Sequence, residues 1–412
     1  MKVLHLSTSD IDNGGARAAY RLHQGLDAIG CTSQMLVRAK FSHDSTVIAE
    51  KSLLTKLGPP SSSLPLRLYP NQNSAMFSPQ WLPDVLASRA KEIDPDIINL
   101  HWVCNGYLQI ETLPKFNKPL IWTLHDLWPF TGGCSYSKEC QQYQDTCGDC
   151  PQLLSGKSQD LSRWVWQRKV KAWANLNLTI VATSAWMADC ARASSLFKHL
   201  RIETIPLGLD TDKYKPIDKR FARELLNLPQ DKQLVLFGSA NPASDPRKGF
   251  DLLRAALQQL ASSGWQDRLE LVVVGSTRPQ EPIELGFPIH YLGFMHDDLA
   301  LATIYSAADV TVVPSIQEAF GQMASESLCC GTPVVAFNAT GLKDVVDSQQ
   351  NGYLATPFEI EDLANGIVWV LEDPARYQKL QDRARAKGLQ EFASEVQARR
   401  YLSLYKEILS QV

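Results

Sequence analysis

The chain has 412 residues, 44% of them hydrophobic and 21% charged, with a net charge of −3. That composition is globular, the length allows two or three domains with cores of their own, and the near-neutral balance argues against a nucleic-acid binder. No apolar run approaches the roughly 18 residues of a membrane span. The opening MKVLHLSTSD lacks the apolar core and cleavage pattern of a secretion signal, so a cytoplasmic protein is expected.

In chain order, KVLHLST (2–8) reads as a strand, followed by Gly14–Gly15 and a helix in NGGARAAYRLHQGL (13–26). SQMLVRA (33–39) is the next strand. Residues 42–82, rich in Ser, Pro and Asn, read as a long loop facing a cleft. DIINLHW (96–102), PLIWTLHD (119–126) and LTIVATS (178–184) are further strands. A stretch with two prolines and a glycine, 202–218, reads as a linker. Beyond it QLVLFGS (233–239), LELVVVGS (269–276), IHYLGF (289–294), DVTVVPS (309–315) and TPVVAFN (332–338) repeat the pattern, and the last strand-like piece ends near 355. Helices are expected at 359–372, 374–390 and 393–410. Apolar runs bounded by turns, with helices between, indicate parallel sheets buried on both faces. The expected fold class is α/β, two doubly wound Rossmann-like domains facing a cleft. Residues 1–207 form the first domain, with a Cys-rich insertion at 130–155, and 208–394 the second. The helix at 395–412 packs back toward the first.

The stretch VPSIQEAFGQMASESLCCGTPVVAF (313–337) carries the chemistry. Glu318 falls in the turn after a strand. Gly321 lets a ligand approach the backbone, and Glu326 lies about five residues into the following helix. Ligands bind open α/β sheets at the carboxyl ends of their strands. Ionised carboxylates only accept hydrogen bonds, and sugar hydroxyls can donate to them. In DPRKGFDLL, Arg247 and Lys248 precede Gly249 and an amphipathic helix, offering a fork and a point charge for a pyrophosphate.

These segments resemble the family 4 glycosyltransferases, which are retaining, metal-independent and of the GT-B fold. EAFGQMASE followed by GTPVVAF matches that family's E-x7-E signature. NGGARAAYRLHQGL, TLHDLW (123–128) and TIPLGLD (204–210) match its glycine loop, its histidine segment and its hinge. HDLWPFTGGCSYSKECQQY is most similar to the subgroup that builds bacterial exopolysaccharides, of colanic-acid type. The resemblance implies that Glu326 accepts from the donor ribose and Glu318 faces the transferred sugar. The amides of Phe320, Gly321 and Gln322 would hold its hydroxyls or the phosphate, with Ser239 among the donor-binding residues. His125 would sit beside the reacting sugar, and Gly14 and Gly15 near the donor phosphates. In the family an arginine directly follows the strand glycine. Here Ser239 follows Gly238, and Arg247 is taken as the substitute beside Lys248. The implied donor is a UDP-, GDP- or ADP-linked sugar, and the acceptor a saccharide or lipid-linked saccharide. No cofactor is implied for catalysis. A nucleotide-sugar epimerase and a non-catalytic nucleotide-sugar binder are the alternatives.

Cys134, Cys140, Cys147 and Cys150 are spaced C-x5-C-x6-C-x2-C in a polar stretch with little apolar surface of its own. A structural zinc could supply the folding energy; disulfides and free thiols are the other readings. Asp94/Asp96 and Asp210/Asp212 match D-x-D but do not follow strands. LSRWVWQRKVKAW (161–173) mixes three tryptophans with four basic residues. It reads as a half-buried helix, with peripheral contact at the inner membrane face as the alternative.

Overall fold

The computed structural model describes residues 1–70, 72, 76–238, 245–278, 284–295 and 297–411; Ser239 lies outside them. Two compact units emerge: Met1–Leu207 with the chain from Gln397 on, and Gly208–Val396.

The first unit runs β1 (Lys2–Ser9), α1 (Gly14–Ala28), β2 (Thr32–Ala39), β3 (Val47–Ala49), α2 (Leu53–Ser62), α3 (Leu86–Ile93), β4 (Ile97–Leu100), β5 (Leu120–Leu124), α4 (Leu161–Trp173), β6 (Leu178–Ala182), α5 (Ala185–Ala193) and β7 (Arg201–Thr204). Its seven strands pair in parallel in the order β3-β2-β1-β4-β5-β6-β7. Every residue of β4, β5 and β6 is buried, as a sheet covered on both faces requires.

The second unit runs α6 (Lys219–Leu225), β8 (Gln233–Gly238), α7 (Phe250–Leu260), β9 (Leu269–Val274), β10 (Ile289–Tyr291), α8 (Asp298–Ala307), β11 (Val310–Val313), α9 (Gln322–Cys329), β12 (Val334–Phe337), α10 (Leu342–Val345), β13 (Gly352–Ala355), α11 (Ile360–Leu371) and α12 (Pro374–Glu391). Its parallel order is β10-β9-β8-β11-β12-β13. Val235, Phe237, Leu271, Val273, Val310 and Val312 of the strands pack with Leu253 and Leu257 of α7 and Leu363 and Ile367 of α11. The final helix, α13 (Ser394–Ser410), contributes Tyr401 and Tyr405 to the core of the first unit, beside Val3, Ile97 and Ile121.

In both sheets the strand order reverses beside the first strand of the unit. β1 lies between β2 and β4, and β8 between β9 and β11. Crossovers depart in opposite directions there and leave a crevice at the carboxyl ends.

Two local expectations give way. Residues 42–82 hold β3, α2 and a 3-10 turn at Leu64–Leu68. Pro59 and Pro60 lie inside α2, which is why its composition reads as loop. A Cβ on Gly58 would come within 2.4 Å of the Gly106 carbonyl oxygen, so backbone packing fixes this helix. The expected linker 202–218 begins as strand, because β7 pairs with β6 from Arg201 to Thr204.

Candidate active site

The crevice of the second sheet is built by two connections. After β11 the chain turns through Ser315–Gly321 into α9, and the β8–α7 connection ends in a 3-10 turn at Pro246–Lys248. Gly249 has φ +67°, and a Cβ there would stand 1.9 Å from the Pro314 carbonyl oxygen. Glycine alone combines that backbone with that approach. The Ile316 amide then donates to the Arg247 carbonyl at 2.7 Å.

This contact delivers the Lys248 ammonium to Oε1 of Glu318 as an ion pair. The Ser315 hydroxyl donates to the same oxygen at 3.0 Å. Arg247 donates to Asp245 through Nη2 at 2.6 Å and to the Gln317 carbonyl through Nη1 at 3.3 Å. Burial pushes the Glu318 carboxyl upward, but the Lys248 and Arg247 charges outweigh it and hold the group below the usual range. The turn is pinned from the other side as well. The Glu318 amide donates to Thr340 Oγ1 at 3.1 Å, and the Gly341 amide to the Glu318 carbonyl at 3.0 Å.

Gly321 caps α9 at φ +104° with no side-chain cap, so the first turn of the helix is opened by backbone alone. Phe320 is only 2% exposed and packs edge-on against Phe392. Its side chain is core, and only its backbone can serve a ligand. Glu326, 7% exposed on α9, accepts from the Tyr305 hydroxyl at 2.9 Å.

In the first unit Gly14 and Gly15 open α1, whose cap Asn13 accepts from the Ala16 amide at 3.0 Å. A Cβ on Gly15 would lie 3.6 Å from that of His125, so the helix start and the end of β5 share one face. His125 Nε2 is 3.0 Å from His101 Nδ1, and His101 Nε2 is 2.9 Å from His5 Nδ1. Burial draws His125 down to about 4, leaving it neutral at pH 7. Asp126 accepts from Trp102 Nε1 and the Trp128 amide, both at 3.0 Å. The ammonium of Lys169, fully buried on α4, binds the Trp128 and Thr131 carbonyls and clamps the loop behind His125. α4 buries Ser162, Val165, Lys169 and Trp173 and leaves Trp164 43% exposed, as a half-buried helix should.

Cys134, Cys140, Cys147 and Cys150 all line one cavity of about 20 Å³, beside Phe77 and Tyr143. The Gly132 amide donates to Cys147 Sγ at 3.1 Å. All nine cysteines are unbridged. Among the described residues no three His, Cys, Asp or Glu side chains converge closely enough to hold a metal ion as they stand. The two D-x-D pairs serve structure: Asp94 pairs with Lys118, Asp96 accepts from the Lys2 amide, and Asp210 closes a turn onto the Asp212 amide.

Within the second unit, then, Glu318, Arg247 and Lys248 come together beside the start of α9, and Glu326 pairs with a tyrosine that the sequence reading missed. Asp245 and Ser315 were missed too, although they flank the motifs. In the first unit His5 and His101 were missed. Their only signal was a histidine in each of two largely apolar runs that read as strands, VLHLS and NLHWV.

Residues 12–213 match the model for Glycosyltransferase Family 4, and residues 218–387 the model for Glycosyl transferases group 1. The chain belongs to the family 4 glycosyltransferases. Among its glycosyltransferase relatives, the D-inositol 3-phosphate glycosyltransferase of Geodermatophilus obscurus is 31% identical over 295 residues, 67% of this chain and 59% of that protein. The D-inositol 3-phosphate glycosyltransferase 2 of Catenulispora acidiphila is 36% identical over 189 residues, 43% of this chain and 44% of that one. The chain spans about half the length of the curated relatives it matches. Among solved structures, a sucrose-phosphate synthase from Thermosynechococcus elongatus aligns with a TM-score of 0.73 at 23% identity, covering 100% of both chains. The Anabaena HepE structure with UDP-glucose aligns at 0.66 and 20% identity, also covering 100% of both. The fold of this family 4 glycosyltransferase is thus GT-B, two Rossmann-like units. None of its described helices is long and apolar enough to cross a membrane.

Proposed function

We propose that the protein moves a sugar from a nucleotide-diphosphate sugar to an acceptor hydroxyl, with retention of configuration and without a divalent metal. The observation that carries the reading is the Glu318–Lys248 pair, with Arg247 adjacent, at the switch point of the second sheet. In this reading the two cations would meet the charge of a leaving diphosphate, and the two carboxylates would accept from hydroxyls. Lys248 pairs with Glu318 and Arg247 with Asp245. A diphosphate would draw both cations toward itself and free Glu318 for sugar hydroxyls. Glu326, buried and already oriented by Tyr305, is suited to the ribose. The second unit would bind the donor. The first would hold the acceptor, with His125 beside the reacting sugar and Gly14–Gly15 near the donor phosphates. The acceptor hydroxyl would attack from the side of the departing diphosphate, which takes the proton. The HepE structures contain UDP and UDP-glucose, in line with a nucleotide-sugar donor. The exopolysaccharide-like segment after His125 supports a saccharide or lipid-linked saccharide acceptor, met by a cytoplasmic protein at the inner membrane face.

Thermal shift with UDP, GDP, ADP and their sugars tests the donor. A ligand at 100 times its Kd adds about 2.7 kcal/mol. Turnover in EDTA should require an acceptor. Conversion of the donor alone would indicate an epimerase, and binding without any turnover a sensor. Rescue by Mg²⁺ after chelation would remove the metal-independent mechanism.

A further inference from the structure

The first unit contains a line of three imidazoles. His5 sits within β1, His101 follows β4 and His125 follows β5. The rings are stacked, with centroids 5.2 Å apart for His5–His101 and 5.3 Å apart for His101–His125. Their nitrogens meet end to end at 2.9 and 3.0 Å. His5 Nε2, at the inner end, is buried with no hydrogen-bond partner. His125 Nδ1, at the outer end, makes no hydrogen bond to a described residue and lies on the ring that faces Gly15.

We propose that His5 and His101 are positioning residues which fix His125 as its Nδ1–H tautomer, so that it presents a hydrogen-bond donor to an oxygen of the sugar substrate. The proposal rests on the glycosyl-transfer reading only for the identity of that oxygen.

A neutral imidazole has one N–H and one lone pair. Two rings joined through nitrogen must be matched, donor to acceptor, so one choice sets all three. In one sense His5 Nδ1–H donates to His101 Nε2, His101 Nδ1–H donates to His125 Nε2, and His125 keeps its proton on Nδ1. In the other sense every proton sits on Nε2, and the buried His5 Nε2–H has no acceptor. Orphaned buried N–H groups are rarer than under-satisfied acceptors, which selects the first sense. The outer nitrogen is then a donor because of an atom two rings away.

Among the described residues no charged side chain hydrogen-bonds to the line. His23, with its centroid 6.0 Å from His5, spends its nitrogens on Ser33 and Thr46 and lies 3.7 Å from Asp44. Asp126 is occupied by Trp102 and the Trp128 amide. Burial keeps His5, His101 and His125 neutral, and a second proton on His101 or His125 would set two N–H groups against each other.

The test is a long-range ¹H–¹⁵N correlation on the full chain labelled at its eight histidines, at pH 7.5 without ligand. His125, His101 and His5 should all appear as Nδ1–H tautomers, against the Nε2–H form that free histidine favours in water. An Nε2–H signal for His125 overturns the proposal with no variant needed. In His5→Phe the His125 ring should move toward Nε2–H, and kcat/KM should fall about tenfold, in line with other groups that fix a histidine tautomer. An unchanged tautomer or unchanged turnover in a folded His5→Phe protein removes the positioning role. If no nucleotide sugar is ever turned over, the glycosyl-transfer reading fails while the ring signals still decide the tautomer.

Discussion

Lys248 does two jobs that its neighbours separate. It compensates the half-buried Glu318 carboxylate, and it is read as a contact to the leaving diphosphate. Lys248→Ala removes a charge-assisted contact made as charge develops. An expected loss of order 10²-fold in kcat/KM corresponds to about 2.7 kcal/mol. Wild-type turnover in Lys248→Ala would sink the diphosphate assignment. The two glutamates should divide differently. Glu326→Ala removes a contact equal in ground and transition states and should weaken nucleoside diphosphate affinity more than kcat. Glu318→Ala should act mainly on kcat. Calorimetry showing unaltered UDP, GDP and ADP affinity in Glu326→Ala would refute the ribose role. The sequence pointed to both acids and both cations. It did not show that Glu318 and Lys248, 70 residues apart, neutralise one another.

Among the elements, the 3-10 turn Pro246–Lys248 and the Cys-rich loop show how a short segment is held in place. The turn depends on Gly249. Gly249→Ala needs a left-handed backbone and puts a methyl 1.9 Å from the Pro314 carbonyl oxygen. The turn must shift, and Arg247 and Lys248 with it. The expected result is a stability loss of about 1–3 kcal/mol together with a fall in donor affinity, read by denaturant unfolding and calorimetry. Wild-type donor affinity in this variant would show that the turn does not position the cations. The loop is held differently. Its four thiols surround one cavity, and backbone amides donate to Cys147 and Cys150. Burial pushes the Cys147 thiol up to about 12 and the Cys150 thiol upward, so without a cation they stay protonated. We propose that a structural zinc draws these thiolates together. Elemental analysis of protein purified without added metal should give about one equivalent, absent in Cys147→Ser. Metal-free wild-type protein with four alkylatable thiols would end the proposal.

For the whole molecule, acid sensitivity should follow from the buried histidines. His5 and His101 are pulled well below the ordinary 6.5 by burial first and by neighbouring imidazoles second, His125 by burial to about 4, and His23 downward by burial. The unfolded chain therefore binds protons near pH 6.5 that the folded first unit refuses. Their contribution to stability is complete above pH 6.5 and is lost as pH falls from there toward 4. Each ring contributes a slope of up to about 1.4 kcal/mol per pH unit. Urea midpoints should drop between pH 7.5 and 5.5, and less steeply in His5→Phe. Equal midpoints across that range would show that these rings titrate normally.

The sequence by itself determined the α/β class, eleven of the thirteen described strands by segment, and the three C-terminal helices nearly to the residue, for a local reason. Strands covered on both faces are continuous apolar runs, and helices carry their own period and caps, as in VTVVPS or Asp373-Pro374. It failed where that signal is short or masked. β3 and β7 have three and four residues, and α2 carries two prolines. Family membership was also legible, because E-x7-E and TLHDLW are contiguous. Only the tertiary structure decided which side chains meet. Lys248 reaches Glu318 because the β8–α7 and β11–α9 connections leave the same crevice and glycine lets them touch. His5, His101 and His125 align because β1, β4 and β5 are adjacent in the sheet, although 96 and 24 residues separate the successive partners. Strand order follows from how crossovers pack, and no local periodicity encodes it.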